Sequence, residues 1–145
     1  MTHTLKRILI VDDDAIIRQT LRLLLRESGF EVVGEAHDGL RAMSLINKHK
    51  PGIVMLDINM PGASGLDVLT DIHSGYPNIE VIMISGSAQA EDVKTAVERG
   101  AAGYIVKPFN VKNVVQNVTR AIQLAVKKKQ STPAQDEAPQ KAANE

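Results

Sequence analysis

Four short apolar runs in this chain each end at a residue that can take part in chemistry. Such runs are typical of strands that are buried on both faces inside a parallel sheet. In an open parallel sheet the carboxyl ends of the strands lie along one edge, which is where ligands bind. We therefore expect the end residues to share one site. The runs and their end residues are 8–11 with Asp12, Asp13 and Asp14; 53–56 with Asp57; 81–84 with Ser85; and 104–106 with Lys107.

The segments between these runs predict helices. Apolar residues recur in them at helical spacing, Asp14 and Asp38 are suitable amino-terminal caps, and Gly29 and Gly100 suit helix ends. Another strand is predicted at residues 30–36. Five strands that alternate with five helices predict an α/β fold, namely a doubly wound five-stranded parallel sheet with right-handed crossovers.

The carboxyl-terminal part of the chain changes character after the fifth predicted helix. The fourth helix is predicted to bury an apolar face that includes Val97, and the fifth an apolar stripe that begins at Val111. From residue 130 onward there is no Val, Ile, Leu or Phe, and there are two prolines. Such a segment cannot bury enough apolar surface to order itself. We expect one domain at residues 5–128 and a flexible tail or truncated linker at 129–145.

The overall composition excludes several classes of protein. The 145 residues carry 17 basic and 17 acidic side chains, and this balance argues against a generic binder of nucleic acid or acidic membranes. The absence of cysteine excludes a disulfide framework and a thiolate metal site. No signal peptide or apolar membrane span is recognisable, so we expect a cytoplasmic protein.

The acids that follow the first and third strands predict a cation site. Carboxylates crowded at one sheet edge repel one another unless they share protons or bind a cation, and Mg²⁺ prefers oxygen ligands of this kind. The alternative for the first three acids is that one caps the next helix and the others are solvated. A carboxylate nucleophile, a hydroxyl and an ammonium beside a metal form a set suited to phosphoryl transfer.

Several of these motifs together resemble the receiver domains of two-component response regulators, the chemotaxis-regulator-like family. The resemblance covers roughly residues 5–128, and it implies the strand order 2-1-3-4-5 with the site between strands 1 and 3. Each motif is weak alone, whereas all of them in order are specific. The matching segments are VDD at 11–13, LDINMP at 56–61, Gly65, ISG at 84–86 and GYIVKPF at 103–109.

The resemblance assigns the acidic residues to phosphorylation and to metal binding. It implies that Asp57 is the phosphoacceptor. Asp13 would bind Mg²⁺ directly, Asp12 directly or through water, and Asn59 through its backbone carbonyl, with Asp57 also in the metal site. Asp14 is expected to cap the first predicted helix instead.

The resemblance also assigns the other polar residues. Lys107 would pair with Asp57 and then with the phosphoryl group, and a cis peptide is expected between Lys107 and Pro108. Ser85 would donate a hydrogen bond to a phosphoryl oxygen, where threonine is the commoner choice in the family. Tyr104 is expected to change rotamer between the two states, so that Ser85 and Tyr104 are the switch residues.

The function implied is that of a phosphorylatable signalling switch rather than a conventional enzyme, catalysing only its own phosphorylation and dephosphorylation. A histidine kinase or histidine phosphotransfer protein would donate the phosphoryl group. The surface of the fourth helix, fifth strand and fifth helix would then change, for binding of a downstream effector protein or for homodimer formation. We expect no nucleic-acid contact from this domain and no membrane contact.

Two other classes of protein share parts of this pattern. A haloacid-dehalogenase-like phosphatase has an Asp-x-Asp nucleophile motif after an apolar strand, which residues 12–14 would satisfy, but it needs an acidic pair after the lysine. The first acid after Lys107 is Asp136, in the predicted tail. A flavodoxin-like flavin carrier needs a phosphate loop rich in hydroxyls and glycine after strand 1, where three acids would repel the phosphate.

Overall fold

The computed structural model describes residues 2–87 and 89–131. The predicted tail therefore lies outside the described residues from 132 onward, and the last helix includes its first three residues. The strands are β1 (Arg7–Val11), β2 (Glu31–Ala36), β3 (Ile53–Asp57), β4 (Glu80–Ser85) and β5 (Gly103–Val106), and the helices are α1 (Thr2–Leu5), α2 (Ala15–Glu27), α3 (Gly39–His49), α4 (Gly65–Gly75), α5 (Ala90–Glu98) and α6 (Val111–Ser131).

The five strands form one parallel sheet in the order β2-β1-β3-β4-β5. The predicted fold class and strand order are confirmed. The helices from α2 to α6 are the five predicted ones, and α1 is an additional helix of four residues. Since β1 lies between β2 and β3, the chain reverses its direction of winding there, and the crevice at this switch point opens at the carboxyl ends of β1 and β3.

Alternate residues of the central strands pack on opposite faces of the sheet. In β1, Leu9 and Val11 face a core formed with α3, α4 and α5, whereas Ile8 and Ile10 face a second core formed with α2 and α6. Both sets are fully or almost fully buried. Burial on both faces explains why β1 and β3 appear in the sequence as unbroken apolar runs instead of alternating patterns.

The predicted helix caps at Asp14 and Asp38 are confirmed. The Asp14 carboxylate accepts hydrogen bonds from the N–H groups of Ile16 and Ile17, and Asp38 accepts one from Arg41. Such caps satisfy N–H groups that have no partner inside the helix and each contribute about 1 kcal/mol to stability.

Two apolar positions that were predicted to be buried are exposed. The side chain of Val97 on α5 is 63% exposed, and that of Val111 at the start of α6 is 55% exposed. The prediction was wrong for these two residues because α5 is short and Ala96 is its buried contact with the sheet, while Val111 lies at the first position of its helix. No helix in the described part of the chain is both long and apolar enough to span a membrane.

Candidate functional site

Asp12 is held at the carboxyl end of β1 by hydrogen bonds to its backbone and side chain. Its N–H donates to the carbonyl of Ala36 at 3.0 Å, and its Oδ1 accepts from the N–H of Asp14 at 2.9 Å. Oδ2 lies 3.0 Å from Nζ of Lys107, but the alignment is not that of a hydrogen bond. Among the described residues, this oxygen is the only buried side-chain polar atom without a hydrogen-bond partner. A buried carboxylate oxygen without a hydrogen bond is costly, so it favours positive charge, which Lys107 supplies here and which a metal ion could also supply.

Asp57 ends β3 and is almost completely buried, with 2% of its surface exposed. The loop that follows closes back on the strand, where the N–H of Gly65 donates to the carbonyl of Ile58 at 2.8 Å. A Cβ atom at Gly65 would lie 2.0 Å from the carbonyl oxygen of Asp57, so a larger residue would displace this strand end. The N–H of Asn59 lies 3.3 Å from Oδ1 of Asp57 and donates to it, whereas the Asn59 residue as a whole is exposed.

Lys107 brings the end of β5 into contact with both buried acids. Its Nζ lies 3.0 Å from Oδ2 of Asp12 and 3.5 Å from Oδ1 of Asp57. Its own N–H donates to the carbonyl of Ser85 at 2.7 Å, which fixes the end of β5 against the end of β4. The peptide bond between Lys107 and Pro108 is cis, as the resemblance implied.

Burial and mutual charge alter the acidity of this group of side chains. Burial, followed by the charge of Asp12, raises the pKa of Asp57 from 3.8 to about 6, and this net value includes the lowering effect of Lys107 and of the Asn59 N–H. Burial lowers the pKa of Lys107, but Asp12 and Asp57 outweigh it, so that the pKa rises above its ordinary value. At neutral pH the ammonium is charged, and Asp57 is ionised in surroundings that oppose its charge.

Three carboxylates form a group that could hold a metal ion. Asp12, Asp13 and Asp57 each offer one oxygen, and these atoms lie within 4.8 Å of one another. Asp13 is exposed and borders an open cavity of about 460 Å³ whose lining includes Asn59 and Ser64. Three oxygen donors, one of them from a buried carboxylate that has an oxygen without a hydrogen bond, fit a hard divalent cation with room for water ligands.

The two predicted switch residues are connected through the loop after β4. Ser85 is fully buried, and its hydroxyl oxygen accepts from the N–H of Ser87 at 3.0 Å. The hydroxyl of Tyr104 donates to the carbonyl of Ser87 at 2.9 Å, and this tyrosine is half-buried. In the register of the sheet Asp57 faces Ile84, so Ser85 lies one residue beyond Asp57 on the neighbouring strand. A rearrangement around Ser85 would therefore reach Tyr104 through Ser87.

Two charged residues near the site were missed by the sequence reasoning. Arg18 on α2 donates to the carbonyl of Asp12 at 2.7 Å, and Glu35 on β2 accepts from Arg18 at 3.3 Å. The sequence did contain a signal for the contact of Arg18, because helical side chains lean toward the helix amino terminus. An arginine four residues after the capping Asp14 is therefore placed to reach the end of β1.

Comparison with known proteins identifies the family. Residues 8–119 match the family model described as the response regulator receiver domain. The chain therefore belongs to the response regulator receiver domain family, and it is a receiver domain of a two-component response regulator. Receiver domains are signalling switches and not conventional enzymes, which decides against the phosphatase and flavin-carrier alternatives.

Two curated relatives illustrate the range of the family. The chemotaxis protein CheY of Listeria monocytogenes is 40% identical over 115 residues, which are 79% of this chain and 97% of that protein. The transcriptional regulatory protein PdtaR of Mycobacterium tuberculosis is 39% identical over 121 residues, 83% of this chain and 57% of that protein. The matched region thus spans little more than half of PdtaR but nearly all of CheY.

Solved structures show the same fold. A CheY-like receiver domain from Methanospirillum hungatei has a TM-score of 0.78 with 29% identity, over 84% of this chain and 97% of that one. A CheX–CheY–BeF3–Mg²⁺ complex from Borrelia burgdorferi has a TM-score of 0.75 with 35% identity, over 78% of this chain and 86% of that one.

Proposed function

We propose that this receiver domain accepts a phosphoryl group on Asp57 from a phosphohistidine donor, in a reaction that requires Mg²⁺. The observation that carries the proposal is the burial of Asp57 between Asp12 and Lys107, at the end of a strand in the switch-point crevice. An acid in this place is crowded by negative charge on one side and approached by an ammonium on the other. Those are the conditions for a reactive carboxylate, beside a cation that can stabilise the negative charge of a transferred group.

The chemistry is an in-line displacement at phosphorus. A carboxylate oxygen of Asp57 attacks, the bond between phosphorus and the donor nitrogen breaks, and the electron pair stays on the imidazole, which takes up a proton. Because the pKa of Asp57 is about 6, the carboxylate is ionised and nucleophilic at neutral pH. Lys107, 3.5 Å from Oδ1 of Asp57, is placed to neutralise the charge on the phosphoryl oxygens.

Asp12, Asp13 and Asp57 are proposed to hold Mg²⁺, with the backbone carbonyl of Asn59 as a further ligand. When bound, the ion would supply positive charge against the phosphoryl oxygens. The three close carboxylate oxygens, and the Oδ2 of Asp12 that lacks a hydrogen bond, support this assignment. A related CheY from Borrelia burgdorferi has been crystallised with BeF3 and Mg²⁺.

We infer that phosphorylation changes the surface formed by α5, β5 and α6, which correspond to the fourth helix, fifth strand and fifth helix of the prediction. Ser85 would donate its hydroxyl hydrogen to the phosphoryl group, and Tyr104 would shift with it because Ser87 connects the two residues. The added charge can move the equilibrium only by as much as it stabilises one state over the other.

Exposed apolar side chains on these three elements support a role in binding partners. Val97 on α5, Val106 on β5 and Val111 at the start of α6 are 63%, 38% and 55% exposed. We propose that this surface binds a downstream effector protein or a second copy of the chain. A histidine kinase or histidine phosphotransfer protein would be the phosphoryl donor, and this domain is proposed to act in the cytoplasm. The domain is proposed to occupy residues 5–128, with 129–145 as a tail or linker.

Intact-mass measurement tests the proposal. The protein is incubated with acetyl phosphate, with and without Mg²⁺, and compared with Asp57→Asn. We expect a gain of one phosphoryl group that requires Mg²⁺ and is absent from the variant. A beryllofluoride titration followed by NMR of Tyr104 covers the case of a short-lived adduct. No mass gain and no response to beryllofluoride would refute the proposal.

A further inference from the structure

Two arginines on α2 share one acidic partner but differ in what else they touch. Arg18 and Arg22 both bind the carboxylate of Glu35 on β2. Among the contacts of the described residues, only Arg18 also reaches Asp12, donating from Nη1 to its carbonyl oxygen at 2.7 Å. The Arg18 side chain is 18% exposed, whereas that of Arg22 is 39% exposed. Arg18 therefore connects the buried end of β1 to an ion pair that lies outside the acid cluster.

The end of β2 holds the Asp12 peptide from both sides. The carbonyl of Ala36 accepts the N–H of Asp12 directly, and Glu35 acts on the carbonyl of Asp12 through Arg18. The Oδ1 atom is already bonded to the N–H of Asp14. Three of the four polar groups of Asp12 are thus fixed by hydrogen bonds, whereas Oδ2 has no hydrogen bond and only the ion pair with Lys107.

We propose that Arg18 is a positioning residue, which fixes the Asp12 peptide so that the Asp12 carboxylate stays among the oxygens of Asp13 and Asp57 that would bind a divalent cation. The inference rests on the proposed function, because it gives Arg18 a role in cation binding at that site. The guanidinium suits this role because its planar group donates in two fixed directions, toward Glu35 and toward the carbonyl. A lysine keeps the charge but not this geometry.

Magnesium binding without any phosphoryl donor provides the test. Wild type, Arg18→Lys, Arg18→Gln and the matched control Arg22→Gln are titrated with MgCl₂ and followed by NMR. Groups that orient metal ligands typically change affinity about 10- to 100-fold. We therefore expect both Arg18 variants to bind Mg²⁺ about tenfold more weakly, and Arg22→Gln to stay within about twofold of wild type, because it leaves the bond to Asp12 in place.

A second readout needs no metal. In the presence of chelator, amide hydrogen exchange at Asp14 reports whether its N–H remains bonded to Oδ1 of Asp12. We expect faster exchange in the two Arg18 variants and wild-type exchange in Arg22→Gln, after correction for the global stability of each protein. Arg18→Lys retains the charge, and serves alone if Arg18→Gln does not fold.

Several results would overturn the inference. Equal loss of Mg²⁺ affinity in Arg18→Gln and Arg22→Gln would mean that the ion pair with Glu35 acts only through general stability. Wild-type affinity in Arg18→Lys would mean that charge matters and geometry does not. If acetyl phosphate fails to modify the wild type, the proposed function fails while the Mg²⁺ titrations still decide the role of Arg18. If the wild type binds no Mg²⁺, the role of Arg18 in cation binding is overturned, and unchanged exchange at Asp14 in the Arg18 variants would also overturn its positioning of Asp12.

Discussion

Replacing Asp57 by Asn is expected to stabilise the metal-free protein, by an amount that grows with pH. Burial raises the pKa of Asp57 from 3.8 to about 6, so the folded state holds this proton more tightly than the unfolded state does. The contribution of Asp57 to the free energy of unfolding is therefore most favourable when Asp57 is protonated, and it falls as the pH rises between these two pKa values. Well above pH 6 the folded protein carries the full free-energy cost of burying the ionised Asp57. An asparagine has nearly the same shape but does not ionise, so it has no such cost at any pH.

The size of the effect follows from the two pKa values. Linkage gives a penalty in unfolding free energy of about 1.5 kcal/mol at pH 5 and about 3 kcal/mol at pH 8. The gain from Asp57→Asn should thus grow by about 1.5 kcal/mol over this range. The attraction to Lys107 is already contained in the pKa, and Lys107 keeps Asp12 as a partner in the variant.

Urea unfolding followed by circular dichroism measures this difference. Wild type and Asp57→Asn are compared at pH 5 and pH 8 in chelator, with Asp71→Asn as a control that removes the same charge from an exposed position. In the Asp71→Asn control, the change in unfolding free energy relative to wild type should not grow comparably with pH. A destabilised Asp57→Asn protein at pH 8, or a gain that does not depend on pH, would refute the reasoning. Under the proposed function, added Mg²⁺ should reduce the stability difference between the two proteins, because it stabilises the wild type more than a variant that lacks the Asp57 carboxylate.

Three further substitutions test the packing around the site and elsewhere. Gly65→Ala should destabilise the fold by about 1–3 kcal/mol and slow phosphorylation, because the new methyl group would displace the carbonyl of Asp57; urea unfolding and mass spectrometry measure both. Lys128→Met should destabilise it by about 1–2 kcal/mol, because it removes a cation 3.0 Å from the buried carboxylate of Glu80. Asp14→Ala should lower the unfolding free energy by about 1 kcal/mol through the loss of the α2 cap.

Each of these substitutions has a matched control. Gly75→Ala should be neutral or slightly stabilising, because a Cβ atom there meets nothing within 4 Å. Lys127→Met changes an exposed neighbouring lysine and should have little effect. Asp14→Ser restores a capping hydroxyl and should recover most of the loss in Asp14→Ala. Equal effects in any substitution and its control would contradict the contact assigned to it.

The sheet could be predicted from sequence because its central strands are buried on both faces. Burial on both sides produces unbroken apolar runs, and the polar residues that end them mark the edge where the site lies. The helix caps at Asp14 and Asp38 could also be predicted from sequence, because a capping carboxylate is a local feature. The strand order could not be predicted from the apolar pattern, and it came only from the family resemblance.

Contacts between distant segments could not be predicted in the same way. The bond from Arg18 to the carbonyl of Asp12 depends on the angle at which α2 leaves β1. The exposure of Val97 depends on how much of the short helix α5 meets the sheet. The link from Ser85 to Tyr104 runs through a backbone carbonyl, that of Ser87, which no side-chain pattern reveals.

The most direct test of the account is to locate the phosphoryl group on the chain. After incubation with acetyl phosphate and Mg²⁺, borohydride reduces an aspartyl phosphate to homoserine, which survives digestion and can be assigned by peptide mass spectrometry. The account predicts homoserine at position 57 alone, and none when Mg²⁺ is left out. Homoserine at position 12 or 13, or an unmodified Asp57 in protein that has gained a phosphoryl group, would contradict it.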